Sequence, residues 1–312
     1  ASILFTDGDV MGAVLDRNGL RPSRYYVTTD DQLILSSEVG VLDIDPSRIV
    51  EKERLHPGKM LLVDTKQGRI IDDDELKESY ANRQPYGEWL DHNLVNLSEL
   101  KIPNQRVEEY APEERAKLQK AFGYNYEDVR NSIMSMAANG SEATSAMGID
   151  VPLAVLSEHH QPLFNYFKQL FAQVTNPPID AIREKIVTST TIYVGKAGNL
   201  LEAKQENCCV MRINNPILTE TDLLKIKNMK EDGFKVAEIP TIYYKNSSLE
   251  KAIDYLFIEV DRAIREGANI LILSDRGVDE YHVAMPSLLV LSGLQQHLVR
   301  TKKRTSVGIV LE

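Results

Sequence analysis

Cysteine is almost absent: the 312 residues include two, and these are adjacent, Cys208 and Cys209. Neighbouring cysteines rarely bridge each other, and no CxxC pair or Cys/His ladder accompanies them. A disulfide framework or a metal site is therefore not expected. The strand-like run from Cys208 to Ile213 predicts one thiol buried and the other facing the opposite side. Reduced thiols fit a cytoplasmic location. No apolar stretch approaches the ~20 residues that span a bilayer, and the first residues form no signal peptide. Basic residues are outnumbered, with 36 Lys and Arg against 46 Asp and Glu and a formal net charge of -10. Such a surface repels phosphate backbones, which argues against nucleic-acid binding. The one basic cluster, Lys302-Lys303-Arg304, reads as a helix C-terminus, where cations complement the dipole. GxGxxG, P-loop and HExxH motifs are absent. His159-His160 has no carboxylate at ligand spacing, and His56, His92, His282 and His297 are isolated.

What is present is an ordinary folding composition, 43% apolar and 26% charged, over a length that suits about two domains. Residues 1–72 read as antiparallel β-structure, a meander of hairpins. The runs Val10–Leu15, Arg24–Thr28, Gln32–Ser36, Met60–Asp64 and Arg69–Ile71 are separated by turn signals. Those signals are Asn18-Gly19, Asp30-Asp31, Pro57-Gly58 and Gln67-Gly68. Residues 73–111 are more polar, carry the single tryptophan, Trp89, and read as a linker packed on a neighbour. Residues 112–312 read as a second domain. Pro112–Ser135 is helical in pattern, and Pro162–Phe171 predicts an aromatic-rich helix. Strand candidates at Lys235–Tyr244, Asn269–Leu273 and Thr305–Leu311 alternate with helices at Thr219–Met229, Ser247–Glu266 and Pro286–Lys302. This alternation predicts a mostly parallel α/β layer. Ser247 and Glu250 form a capping-box pattern for the second of those helices, and Gly267 ends it. Both ends of the chain, Ser2–Phe5 and Gly308–Glu312, are strand-like where free termini are usually polar, so a piece of a longer product is expected.

The segment Leu15-Asp16-Arg17-Asn18-Gly19-Leu20-Arg21-Pro22-Ser23-Arg24-Tyr25 resembles the second half of class II, N-terminal-nucleophile glutamine amidotransferase domains. Ser36-Ser37-Glu38 and Pro57-Gly58-Lys59-Met60 follow in the expected order. Read from the residues alone, Asn18-Gly19 is a hairpin turn and Arg21 a buried side chain bonded to backbone. Ser145 to Ser157, Phe167 to Glu184, and Gly267 to Asp279 are similar to the glutamate synthase central domain, and together the matches cover nearly the whole chain. The stretch Ile149-Asp150-Val151 departs from the family pattern, and residues 190–214 match poorly.

The resemblance implies an antiparallel β remnant of the amidotransferase domain followed by a partial βα-barrel-like central domain. It implies a parent enzyme that hydrolyses glutamine, passes ammonia through an internal tunnel and converts 2-oxoglutarate to glutamate. The parent would use FMN, an iron–sulfur cluster and either NADPH or reduced ferredoxin, none of them held by this stretch. Its partners would be the rest of the same polypeptide and a small electron-supplying subunit or ferredoxin. The amidotransferase nucleophile is an N-terminal cysteine, whereas residue 1 here is Ala, so no catalytic residue is assigned and the chain alone is expected to be inactive. Ser145, Met147, Thr175 and Asn176 are carried over as tunnel wall, having small, apolar or hydrogen-bonding side chains suited to ammonia; otherwise Met147 fills core space and Thr175 caps a turn. Two other readings compete. One is a complete small βα-barrel enzyme using Asp275, Arg276 and Asp279 after a parallel strand, where an ion pair or loop cap is the blander role. The other is a plain interaction module with apolar docking patches.

Overall fold

The computed structural model describes residues 1–107, 109–144, 152, 154–158, 161–167 and 179–312. The chain divides into two compact units, Ala1–Pro85 and Tyr86–Glu312. It is a mixed α/β protein with antiparallel sheets in the first unit.

The first unit holds strands β1 (Ser2–Thr6), β2 (Val10–Leu15), β3 (Arg24–Thr28), β4 (Leu33–Ser36), β5 (Ile49–Arg54), β6 (Met60–Asp64) and β7 (Arg69–Ile71), then helix α1 (Asp73–Ala81). They form two antiparallel sheets in place of one meander, ordered β1-β2-β6-β7 and β4-β3-β5. Ala13, Leu15, Leu55 and Leu61 make the core. Asn18-Gly19 is not a hairpin turn, because β2 and β3 lie in different sheets. Gly19 instead takes a positive φ of 55°, and its N–H donates to the Asp16 backbone and carboxylate. Arg21 is exposed, while Ser23 is the buried residue of that segment. β5 breaks the expected pattern because its sequence, IVEKER, is mostly charged and exposed, as an edge strand allows.

Asp72 caps α1 through its side chain, which accepts from the Asp74 N–H. Asp73 sits in the first turn with its side chain 8% exposed, between Lys59 Nζ at 2.8 Å and Lys77 Nζ at 2.6 Å. It also accepts the Met60 N–H at 3.0 Å, tying the helix to β6. Burial acts to raise its pKa, yet the two ammonium groups prevail and hold it at about 2.

The second unit contains α2 (Tyr86–Asn93), β8 (Val95–Asn96), α3 (Pro112–Ala121), α4 (Met134–Asn139), α5 (Ala181–Val187), β9 (Ile192–Gly195) and β10 (Val210–Ile213). Then come α6 (Glu220–Lys227), β11 (Val236–Pro240), β12 (Ile242–Tyr244), α7 (Leu249–Arg265), β13 (Ile270–Ser274), β14 (His282–Ala284), α8 (Ser287–Arg300) and β15 (Gly308–Leu311). Its centre is the parallel sheet β11-β13-β15. All five residues of β13 are buried, as a strand covered on both faces requires. Leu271 and Leu273 face Leu256, Val260, Val290, Leu294 and Leu298 of α7 and α8. Ile270 and Ile272 face Met211, Ile213, Leu223 and Ile226. Each such side chain contributes about 1.5–3 kcal/mol on burial.

Several expected boundaries move. The cap of α7 is Ser248, whose side chain accepts from the Lys251 N–H, because the Ser247 N–H is engaged in a turn to the Tyr244 carbonyl. α6 has a full capping box, Thr219 with Asp222. The stretch Lys235–Tyr244 is two strands: at Thr241 the chain leaves the parallel sheet, and β12 pairs antiparallel with β14. The helical pattern of Pro112–Ser135 breaks at Gly123, which takes a φ of 78°. Leu163–Tyr166 is one 3₁₀ turn rather than part of an α-helix, and residues 168–171 of that expected helix lie outside the described residues. Cys208 closes a 3₁₀ turn and Cys209 precedes β10, so neither thiol lies in the strand and both are half-buried. Burial pushes the Cys209 thiol up. Trp89 lies in α2, edge-on to Tyr86 at 5.4 Å.

Candidate functional site

The best-built polar cluster stands where β13 ends. The buried strand delivers Ser274, and Gly277, at a φ of 96°, turns the chain immediately after Asp275-Arg276. The Arg276 guanidinium therefore points across the carboxyl ends of the sheet. Its Nη2 donates to Glu220 Oε1 at 2.9 Å and Oε2 at 3.1 Å. Its Nε donates to Glu312 Oε1 at 3.2 Å, and its Nη1 to the Tyr110 hydroxyl at 3.0 Å. The same cation lies 5.9 Å from the centre of the Tyr110 ring. Glu220 comes from the first turn of α6, and Glu312 directly follows β15. The planar, forked guanidinium suits three partners at once, as a lysine would not.

Glu312 is the buried member, with its side chain 8% exposed, and also receives Lys227 Nζ at 2.8 Å. Lys227 reaches Glu238 as well, at 3.0 Å. Burial disfavours the Glu312 carboxylate, yet hydrogen bonds from Lys227 and Ser274 and the nearby cations keep its pKa below the usual range. Burial opposes the Arg276 charge too, and the Tyr110 and Glu220 contacts outweigh it and raise its pKa. Asp275 behaves oppositely: burial raises its pKa, Arg276 draws it back, and the Glu312 charge raises it again.

Two cavities flank this cluster, of about 580 and 560 Å³, and Glu220, Arg276 and Glu312 line both. The first is otherwise walled mainly by apolar residues. The second includes Tyr110, Glu114, Phe122 and Asp275. Four carboxylates against one guanidinium leave it acidic, and Arg276 is already held by Glu220 and Glu312. A phosphate or other anion would have to displace those carboxylates. The arrangement does one thing chemically: it locks the ends of β13 and β15 and the start of α6 together.

The structure thus brings Asp275 and Arg276 together but leaves Asp279 apart. Asp279 caps its own turn, accepting the Tyr281 and His282 N–H groups at 2.8 and 2.7 Å and facing His282 Nδ1 at 2.9 Å. Ser145, Met147, Thr175 and Asn176, the tunnel-wall candidates, lie outside the described residues, as do His159 and His160. Among the described residues no group of three or more His, Cys, Asp or Glu side chains is arranged for a metal. Tyr110, Glu220, Lys227 and Glu312 escaped the sequence reading. Their only linear signal was the acidic first turn of α6, which by itself reads as helix capping.

Comparison with known proteins adds a second, independent line. Residues 117–312 match the glutamate synthase central domain, and residues 1–89 match the class II glutamine amidotransferases. The chain is 45% identical over 311 residues to the glutamate synthase [NADPH] large chain of Bacillus subtilis, covering 100% of this chain and 20% of that protein. It is 42% identical over 325 residues to the glutamate synthase [NADH] of Schizosaccharomyces pombe, covering 100% and 15%. It is 41% identical over 325 residues to the chloroplastic ferredoxin-dependent glutamate synthase of Oryza sativa, covering 100% and 19%. The chain therefore spans 15–20% of the length of these relatives.

Proposed function

This chain belongs to the glutamate synthase central-domain family, and from that premise we propose that it is the stretch of a glutamate synthase that joins the amidotransferase domain to the synthase domain. The observation that carries the reading is whole-chain identity of 45% to one such large chain, with the two family matches in order along the sequence. In this reading residues 1–72 complete the amidotransferase domain, 73–111 connect, and 112–312 form the central domain, a partial βα-barrel. The parent, acting in the cytoplasm, hydrolyses glutamine and uses the ammonia to convert 2-oxoglutarate to glutamate.

The chain's part is positional. Ammonia in transit must be kept from bulk water, where it would be protonated and lost. Ser145, Met147, Thr175 and Asn176 supply a wall of small, apolar and hydrogen-bonding groups for that passage. The relatives' names span NADPH, NADH and ferredoxin dependence, so the parent draws electrons from a donor of this kind, through a small subunit or ferredoxin. In this reading the parent's FMN and iron–sulfur cluster are held elsewhere in the polypeptide. Two half-buried cysteines cannot supply the four thiolates a cluster takes. The strand-end cavity, with Glu114, Glu220, Asp275 and Glu312 around Arg276, is too acidic to favour a flavin phosphate.

The test uses the full-length enzyme with Thr175→Trp. Glutamine hydrolysis should continue while glutamine-dependent glutamate formation falls at least roughly tenfold, and added ammonia should restore synthesis. Full coupling in that variant would refute the tunnel assignment, since a plugged passage cannot deliver ammonia at an unchanged rate.

A further inference from the structure

Among the described residues, β15 has one bonded edge and one open edge. On the β13 side, the Gly308 N–H donates to the Asn269 carbonyl at 2.9 Å and the Glu312 N–H to the Leu273 carbonyl at 2.9 Å. In a parallel ladder alternate residues face the same neighbour, so Ile309 and Leu311 turn their N–H and C=O groups the other way. Among the described residues no ladder takes up that edge. β9 approaches it at one end only, where a Cβ on Gly308 would lie 2.5 Å from Val194 Cγ1 and 2.6 Å from the Gly195 nitrogen. The 580 Å³ cavity is lined by Ile192 and Ile213 from β9 and β10 together with Ile309 and Leu311 from β15, and forms a slot at this edge.

The lips of this slot are apolar and wet. Ile192 is 37% exposed, Leu311 48% and Ile217 82%. A flat, apolar, unpaired strand edge invites pairing, and natural proteins cover or blunt such edges. The direction of sheet growth indicates the cover. β11, β13 and β15 follow one another across the sheet in chain order, each parallel to the last and each reached through a helix. The next position in that progression is the slot.

We propose that the slot receives an extended strand from the remainder of the polypeptide, parallel to β15 and bonded to the N–H and C=O groups of Ile309 and Leu311. This rests on the reading above that the chain is part of a longer protein, and the relatives' length supplies ample chain for it. Affinity comes from the main-chain bonds and specificity from the apolar walls, as in strand addition generally. A second copy of this chain is a poorer occupant, since it would bring together two surfaces of net charge -10.

The experiment uses the full-length protein. Residue-resolved hydrogen exchange should find the Ile309 and Leu311 amides protected to within roughly tenfold of the Val310 amide, which the β13 ladder holds already. Exchange at the rate of freely exposed amides would overturn the proposal. Photo-crosslinking from p-benzoylphenylalanine at position 217 then identifies the occupant. A crosslinked peptide from the same polypeptide, outside these 312 residues, supports it. A peptide from a second copy, or none, overturns it. A coupled enzyme with an open edge would sink this inference alone, whereas a Thr175→Trp enzyme that stays coupled would leave it standing.

Discussion

Gly308 is where β9 and β15 touch, and replacing it by alanine measures how tightly they do so. The new Cβ would meet Val194 Cγ1 at 2.5 Å, the Gly195 nitrogen at 2.6 Å and the Val194 carbonyl carbon at 3.3 Å, where ordinary contact begins near 3.4 Å. Two of these three atoms are backbone, so no rotamer change clears them. The strands must move apart by several tenths of an ångström, inside a core that includes Val194 and Val310. Overpacking of this kind costs about 1–3 kcal/mol, a large share of the ~5–15 kcal/mol that holds a domain together. For a unit of this size that corresponds to a fall in Tm of about 2–12 °C. Gly87 is the control. It lies in α2 with no atom within 4 Å of its added Cβ, so Gly87→Ala should be neutral or stabilise by up to ~1 kcal/mol through helix propensity. Urea titration followed by circular dichroism reads both variants. Adding Val194→Ala to Gly308→Ala should recover only part of the loss, since the clash with the Gly195 nitrogen stays. A Gly308→Ala protein within about 0.5 kcal/mol of the parent, or a shift of the same sign in both glycine variants, would refute the packing described.

Two further outcomes follow from the ion pairs. Asp73 has its pKa lowered to about 2 from the ordinary 3.8, so its stabilisation is fully present above pH 3.8 and is lost as pH falls toward 2. Asp73→Asn should therefore lower the urea midpoint of the first unit at pH 5 and leave it nearly unchanged at pH 2; an equal loss at both pH values would count against the lysine clamp. Arg276→Lys keeps the charge but cannot serve Glu220, Glu312 and Tyr110 together, and it should destabilise the second unit by about 1–3 kcal/mol. Stability equal to the parent in the same titration would show that the fork does not matter.

Legibility in the sequence followed physical locality. β2, β3, β6 and β7 begin and end where alternation and turn residues placed them, because a hairpin's signals lie within a few residues of each other. β5 was invisible because a charged edge strand carries no apolar pattern. The cap of α7 was misplaced by one residue because two adjacent serines offer the same chemistry, and only a turn through Tyr244 decides between them. Arg276 was visible as a charged residue after a parallel strand, but its partners Tyr110, Glu220 and Glu312 are distant in sequence and have no shared spacing. Arg21 was expected inside with its side chain on backbone next to an Asn18-Gly19 hairpin turn, and since that turn does not form, Arg21 meets water and Ser23 is buried in its place.

The same uninterrupted burial that makes β13 the keystone of its sheet has a cost during synthesis. Ile270-Leu271-Ile272-Leu273 emerges from the ribosome before β15 exists, and at about 5–20 residues per second the wait lasts seconds. During that interval a short apolar segment of high strand propensity stands without one of its two neighbours, a template for pairing between nascent chains. Asp275 and Arg276 follow at once, charged residues in the place where natural sequences set gatekeepers beside such segments.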